Sequence, residues 1–414
     1  MLIVSLIIFV LIASYVVMLW RFAKGWKSLS TRENEAEPVS VAVIVPARNE
    51  EANIRACLTD LLRQDYPQEF LHIIMVDDGS EDGTAAIADE LAAIHPQLNV
   101  MRAVGTGGKK QALQQGIHAT HTQLIATVDA DCRISPTWLS TMVAAQQQEG
   151  AKMVLGPVVL TPASNLFERI QRLEFLAIMG ITGGSAAMGH PVMANGANLL
   201  FDRNAFTEAG GYSGSENPSG DDVFLMLKMK EKADTNYESV RISELRISES
   251  ANGSQRDGTD AFPLEKGVSA TGGRGIVFVK DPSALVSTKA LPTFTEFWQQ
   301  RKRWLSKKGG YEDLHLKTTA ILTYLANLGG LVALVTSIFI FPSEAADLLL
   351  TALLIKSVAD LLFIRMVARS LMPTCGLWDI LPAQLFILIY VSSIGLFGNV
   401  RNYHWKGRNI LVSE

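Results

Sequence analysis

Cysteine is scarce in this 414-residue chain. Cys57, Cys132 and Cys375 share no metal-ligand spacing and are odd in number, which argues against a disulfide framework and a thiolate metal site. They read as free thiols of a reducing compartment. His118, His121 and His190 show no metal pattern either. Basic charge is not in excess: the formal net charge is -4, so nothing points to a nucleic-acid partner. No G-x-G-x-x-G follows the first strand-like run, which argues against a dinucleotide-dependent dehydrogenase. The glycine-rich GTGGKKQ lacks the spacing of a P-loop.

Apolar runs, by contrast, are abundant. Hydrophobic residues make up 48% of the chain, and the mean hydropathy is +0.19, high for a wholly soluble enzyme. Residues 1–20 carry no charged side chain, and as a helix they span roughly 30 Å, the thickness of a bilayer core. Arg21, Lys24 and Lys27 follow directly. A cleaved signal peptide carries its positive charge before the apolar run, so this order predicts an uncleaved anchor with the rest of the chain in the cytosol. Three further runs lie at about 317–341, 346–367 and 379–399, with Pro342 and Pro373 in the connections. Lys356 and Asp360 in the middle run share a helix face and are expected to pair, or to face the bundle interior. Three spans would leave the C-terminus outside, whereas Arg401, Lys406 and Arg408 in the basic tail, residues 400–414, favour the inside. The two requirements meet if one run is interfacial or re-entrant.

Residues 39–285 read as a soluble α/β domain with a mostly parallel sheet. Strands are predicted at SVAVIVPARNE, LHIIMVDDGS, NVMRAV, QLIATVDADC and KMVLGPVVL, with helices over 51–63, 84–94 and 110–120 and another opened by Pro136. Ligands of such sheets sit beyond the carboxyl ends of the strands, and Asp77, Asp78, Asp129 and Asp131 all fall there. On an extended chain Asp129 and Asp131 point the same way, so a cation is expected between them. A hard divalent ion, Mg2+ or Mn2+, suits two carboxylates and a nucleotide's phosphates. An isolated D-x-D is also compatible with a solvated strand end or helix caps.

VIVPARNE, VDDGS, GGKKQAL, VDADC, GDDVFL and QRKRW occur in this order. Together they resemble the inverting family-2 glycosyltransferases of GT-A fold, in the membrane-bound branch related to cellulose, chitin and hyaluronan synthases and to lipid glucosyltransferases. The resemblance covers residues 39–310 and the flanking apolar layout. It implies that Pro46 and Glu50 contact the base and ribose of a nucleotide-sugar donor, and that Asp78, or alternatively Asp77, binds the nucleoside. It places Lys109 or Lys110 near the donor, Asp129 and Asp131 on the metal, and Asp222 as general base with Asp221 beside it on the acceptor side. Gln300, Arg303 and Trp304 match its Q-x-x-R-W motif, Arg303 on the donor and the other two on the acceptor. The chemistry is coherent: the departing diphosphate gathers charge that a metal and a bidentate arginine stabilise. The attacking hydroxyl needs a carboxylate to take its proton, and Trp304 offers a flat face to a sugar ring. A single base with no second carboxylate nucleophile implies inversion.

The chain departs from that pattern at 234–274, a polar stretch read as an insertion, either a lid or a passive loop. The segment 292–310 is expected to be an interfacial basic helix contacting lipid phosphates. In the segment that begins FERIQRLEF, Leu166, Ile170, Leu173 and Leu176 or Ala177 share a helix face expected to lie on the membrane. Asn195, Gly196 and Asn198 resemble an acceptor-side turn. The whole reads as a multi-pass enzyme of the inner membrane, with a lipid or glycan acceptor at the cytosolic face and membrane lipids as partners. A processive polysaccharide synthase is the alternative, and a non-catalytic scaffold of the same fold is the reading from another class.

Overall fold

The computed structural model describes residues 2–30, 36–105, 108–213, 222–233, 275–305, 312–376 and 378–397, with the backbone alone at 402–405 and 408–411. Asp221, the 234–274 segment, and Lys307 and Lys308 lie outside the described residues.

A seven-stranded sheet carries the site, in the order β3-β2-β1-β4-β8-β6-β9. Strands β1 (Val41–Ala47), β2 (Leu71–Asp77), β3 (Leu98–Arg102) and β4 (Leu124–Thr127) are parallel to one another. The nearly continuous apolar sequences of β1, β2 and β4 suit strands covered on both faces, whereas β3 is a half-exposed edge strand. The covering helices are α2 (Ile54–Leu62), α3 (Thr84–Ala92), α4 (Gly108–His118) and α5 (Trp138–Glu149). In α2 the buried Ile54, Leu58 and Leu61 recur at helical spacing. Residues 136 and 137 precede α5 as a turn, so Pro136 stands before the cap rather than inside the helix.

Register aligns the carboxyl ends: Ala47 lies beside Asp77, and Ile44 beside Thr127. Loops after β1, β2 and β4 therefore open at one edge. Strand β8 (Leu199–Asp202) runs antiparallel between β4 and β6 (Met153–Leu155), and β6 pairs in parallel with β9 (Ile276–Phe278).

KMVLGPVVL is not one strand. It breaks at Gly156-Pro157 into β6 and β7 (Val158–Leu160), and β7 joins a separate three-stranded sheet with β5 (Arg133–Ile134) and β10 (Val286–Thr288). The break makes room for Asn198: a Cβ at Gly156 would stand 2.2 Å from its side chain. Buried Asn198 bonds the carbonyls of Pro157 (2.8 Å) and Ala284 (2.9 Å) and accepts from Trp138 Nε1 (2.9 Å). It ties the two sheets together.

Helix α1 (Leu2–Ser28) is seated on the domain. Its Tyr15, Leu19, Phe22 and Trp26 belong to the same apolar core as the main sheet. Contact with α6 (Leu166–Ala187) is backbone to backbone. A Cβ at Gly25 would lie 2.2 Å from the Gly184 carbonyl oxygen, and one at Gly184 would lie 2.4 Å from that of Phe22. Small residues allow such crossings between apolar helices. Trp26 packs on Phe278 of β9, with ring centroids 5.6 Å apart.

The apolar face of α6 was expected on a membrane surface, but Ile170 and Leu173 are buried against Ile364, Ile380 and Ala383. A face that apolar is better satisfied by other helices than by an interface. Those residues come from α11 (Glu344–Leu371) and α12 (Ile380–Phe397), which follow α7 (Arg203–Glu208), α8 (222–233), α9 (Phe294–Leu305) and α10 (Leu314–Ile340). Helices α1 and α10 are long and apolar enough to cross a membrane by length and composition, and α12 is a shorter apolar helix. Lys356 Nζ pairs with Asp360 (2.8 Å), which also accepts from Tyr15 of α1 (2.7 Å), so the expected pair locks α1 to α11.

Helix α12 begins at Ile380 against α6 and ends with Val391 and Ile394 on the wall of the main cavity. The antiparallel hairpin β11 (Asn402–Trp405) and β12 (Arg408–Leu411) then lies beside α9. The start of α12 thus contacts α6, and the hairpin that follows α12 contacts α9.

Candidate active site

The open sheet edge leads into a cavity of about 1040 Å³. Its walls include Pro46, Asp78, Lys109, Asp129, Asp131, Asp222, Gln300, Arg303 and Trp304. Residues separated by more than 250 positions in sequence therefore meet in one space. Glu50 and Asp77 are buried outside it. Glu50 accepts from Asn53 Nδ2 (2.7 Å), and Asp77 accepts from the Ser80 backbone (3.2 Å), holding the turn after β2. Sequence reasoning passed over Arg48, between Pro46 and Glu50. Its guanidinium bonds the carbonyls of Asp78 (2.7 Å) and Gly79 (3.0 Å), clamping the β2 turn to the end of β1.

Asp129 and Asp131 do not sit on an extended strand. Strand β4 ends at Thr127, and the chain turns, closed by the Cys132 N–H donating to the Asp129 carbonyl (3.1 Å). The alternation argument therefore does not apply to them. Asp129 forms an ion pair with Lys109 Nζ, and Asp131 accepts from Thr288 Oγ1 (3.2 Å). Burial disfavours the Lys109 ammonium, but facing Asp129, with Asp222 adding to it, outweighs that and raises its pKa.

Among the described residues no three His, Cys, Asp or Glu side chains converge as a complete metal cage. The donors available are the carboxylates of Asp129 and Asp131. Such a pair fits a hard ion that takes its remaining oxygens from water and phosphate, as Mg2+ and Mn2+ do. Burial, with the Asp131 charge next, pushes the Cys132 thiol well up, which leaves it unsuited as a thiolate ligand.

Asp222 opens α8. One carboxylate oxygen accepts from Gly196 N–H (3.0 Å) and the other from Val223 N–H (2.9 Å). The Gly196 carbonyl in turn accepts from Thr127 Oγ1 (2.8 Å), so the turn at 195–198 is fixed to β4 and presents Asp222 beside Lys109.

Helix α9 brings Gln300, Arg303 and Trp304 to the other side of the cavity. Its buried residues are Phe297 and Arg301, at helical spacing with Trp304. The Arg301 guanidinium lies between the rings of Phe297 (4.2 Å) and Trp304 (4.1 Å), bonds Gln300, and pairs with Glu174 of α6 (2.5 Å). Tyr390 of α12 donates to the same Glu174 carboxylate. One face of Trp304 is thus taken by a cation. A charge interrupting the 297-301-304 face was the signal that this arginine is buried and partnered. Beyond this network the cavity turns apolar, with Phe175, Ile178, Leu316, Ala320, Val391 and Ile394 on its walls.

Residues 42–210 match the profile of glycosyl transferase family 2. Glycosyltransferase AglE of Haloferax volcanii is 32% identical over 121 residues, covering 29% of this chain and 40% of its own. A beta-monoglucosyldiacylglycerol synthase of Trichormus variabilis is 29% identical over 192 residues, covering 46% of this chain and 41% of its own. A poly-beta-1,6-N-acetyl-D-glucosamine synthase of Staphylococcus epidermidis is 25% identical over 186 residues, covering 44% of each. The chain spans about two fifths of the length of these relatives. In fold it is similar to a mannosyltransferase, PcManGT, of Pyrobaculum calidifontis, solved with GDP-Man and Mn2+. The TM-score is 0.53 at 15% identity, covering 96% of this chain and 99% of that one. The architecture is of the GT-A type.

Proposed function

From the premise that residues 42–210 form a family-2 glycosyltransferase domain, we propose that the protein transfers a sugar, with inversion, from a nucleotide sugar to a lipid hydroxyl at the cytosolic face of the inner membrane. One observation carries this reading: a single cavity joins a carboxylate-rich sheet edge to apolar walls supplied by α10 and α12. A nucleotide diphosphate suits the first end, and an apolar acceptor suits the second.

Pro46 and Asp78 bound the nucleoside side, with Glu50 and Asp77 shaping the loops behind them. Lys109 and Arg303 face the diphosphate, where cationic donors stabilise the charge that develops on departure. Asp129 and Asp131 would hold a divalent ion, which would supply Lewis-acid charge to the same phosphates. Asp222 takes the proton of the attacking hydroxyl. Gln300 and Trp304 line the acceptor side, and Asp221 is assigned to the acceptor as well. The catalytic unit is residues 39–285, α1 is the anchor, and α9 lies at the interface.

The test is nucleotide release by the protein in lipid, from UDP-, GDP- and dTDP-sugars, with Mg2+, Mn2+ or chelator. Release from one donor, abolished by chelator, together with one sugar per acceptor, is the expected result. A ladder of products would establish a polysaccharide synthase instead, and no donor binding at all would leave a scaffold.

Topology has its own test. Arg21, Lys24 and Lys27 favour the inside, and the contact of the hairpin with α9 supports a tail on that same side. A cysteine at His404 is expected to react with an impermeant maleimide from the same face as one at Glu69. Labelling from opposite faces would mean that α12 crosses the bilayer.

A further inference from the structure

A second cavity, of about 450 Å³, lies away from the first, at the end of α11. Arg365, Ala368, Arg369, Pro373, Cys375 and Trp378 line it. We propose that this corner binds the phosphate of an anionic phospholipid, a proposal that rests on the membrane reading above.

Helix α11 presents an outward stripe of Leu350, Leu354, Val358 and Leu362, all exposed. Within the next turns the same side carries the exposed Arg365 and Arg369. A change from leucine to arginine along one exposed stripe marks the boundary between hydrocarbon and headgroups. Trp378, 95% exposed, stands at that level, where an amphipathic ring is favoured.

Charge balance supplies the second argument. Arg172 of α6 reaches Cys375, and its Nε is buried without a hydrogen-bond partner. The nearby carboxylate, Asp379, is taken by Arg169 (2.7 Å). Among the described residues no carboxylate pairs with Arg172, Arg365 or Arg369. Two guanidinium groups on the wall of one cavity, with Arg172 reaching the lining residue Cys375, suit an anion, and their forks match phosphate oxygens. The apolar stripe above the corner provides a track for acyl chains, which a free anion would not need. Basic pockets between apolar helices on the cytosolic side suit lipid headgroups for the same reason.

The native protein would be placed in nanodiscs of phosphatidylcholine with increasing phosphatidylglycerol, and co-purifying lipid counted after detergent extraction. Phosphatidylglycerol is expected to be retained preferentially. Arg365→Gln/Arg369→Gln should lower that preference about tenfold, while Lys24→Gln/Lys27→Gln, of equal charge loss, should keep it. Equal loss in both variants would reduce the effect to bulk electrostatics and overturn the site. Absence of preference in the native protein would do the same. Displacement of the lipid by millimolar inorganic phosphate or glycerol phosphate would assign the corner to a soluble anion and overturn the lipid. Failure to enter nanodiscs of either composition would instead refute the membrane reading, whereas entry without preference refutes only the headgroup site.

Discussion

Replacing Asp222 with asparagine is expected to lower turnover by roughly 10²–10⁴-fold while donor affinity stays near that of the native protein. The carboxylate is the acidic group that the Gly196 turn presents across from Lys109. Both of its oxygens accept backbone N–H groups, so the side chain is held in one orientation while remaining on the cavity wall. Asparagine preserves size and one acceptor, but it takes no proton from a hydroxyl. Single-turnover kinetics with a bound nucleotide sugar, alongside a direct donor titration, separate the two quantities. A variant that loses donor affinity as strongly as turnover would place Asp222 on the donor and require another base.

The second large effect is expected at Glu174. Glu174→Ala leaves the Arg301 guanidinium buried between two rings without its carboxylate, at a cost of about 3–5 kcal/mol in unfolding free energy. Arg301 is only 5% exposed, so water cannot replace the lost partner without opening the packing of α6, α9 and α12. Tyr390 loses its acceptor with it. Denaturant unfolding in detergent measures the loss. Adding Arg301→Met to Glu174→Ala should recover much of it, because an apolar chain of similar length needs no counter-charge. A loss below about 1 kcal/mol for Glu174→Ala would show the pair to be solvated.

These two sites also show what the sequence could and could not convey. The place of Asp222 on the cavity wall was legible because GDDVFL stands in order with VDDGS and VDADC, although a carboxylate pair opening an apolar helical run also suits the helix dipole alone. The central strands were legible because both of their faces are buried, so their apolar runs are unbroken. Continuity misled at KMVLGPVVL, where a run apolar from end to end serves two sheets. The turn at Asp129 was hidden because apolar residues continue past the last ladder bond of β4. Arg301 was not singled out within the basic segment 292–310. Only its spacing from Phe297 and Trp304 set it apart. Hydropathy found α12 but carries no information on its direction, and its contacts with α6 and the cavity wall could not be read from it. Glu174 and Tyr390 offered no local signal, since each gains its meaning from a residue on another helix.

The seat between Gly25 and Gly184 has a consequence for how far the enzyme can reach. Backbone touching backbone leaves no side-chain layer in which α1 could tilt or slide against the domain. In a bilayer the apolar length of α1 sets its depth, and the rigid joint passes that depth on to Asp222. The chain then works as a fixed gauge. Under the proposed function, acceptors would be selected by the height at which they display a hydroxyl, and a molecule of suitable chemistry held too deep or too far out would be left unmodified.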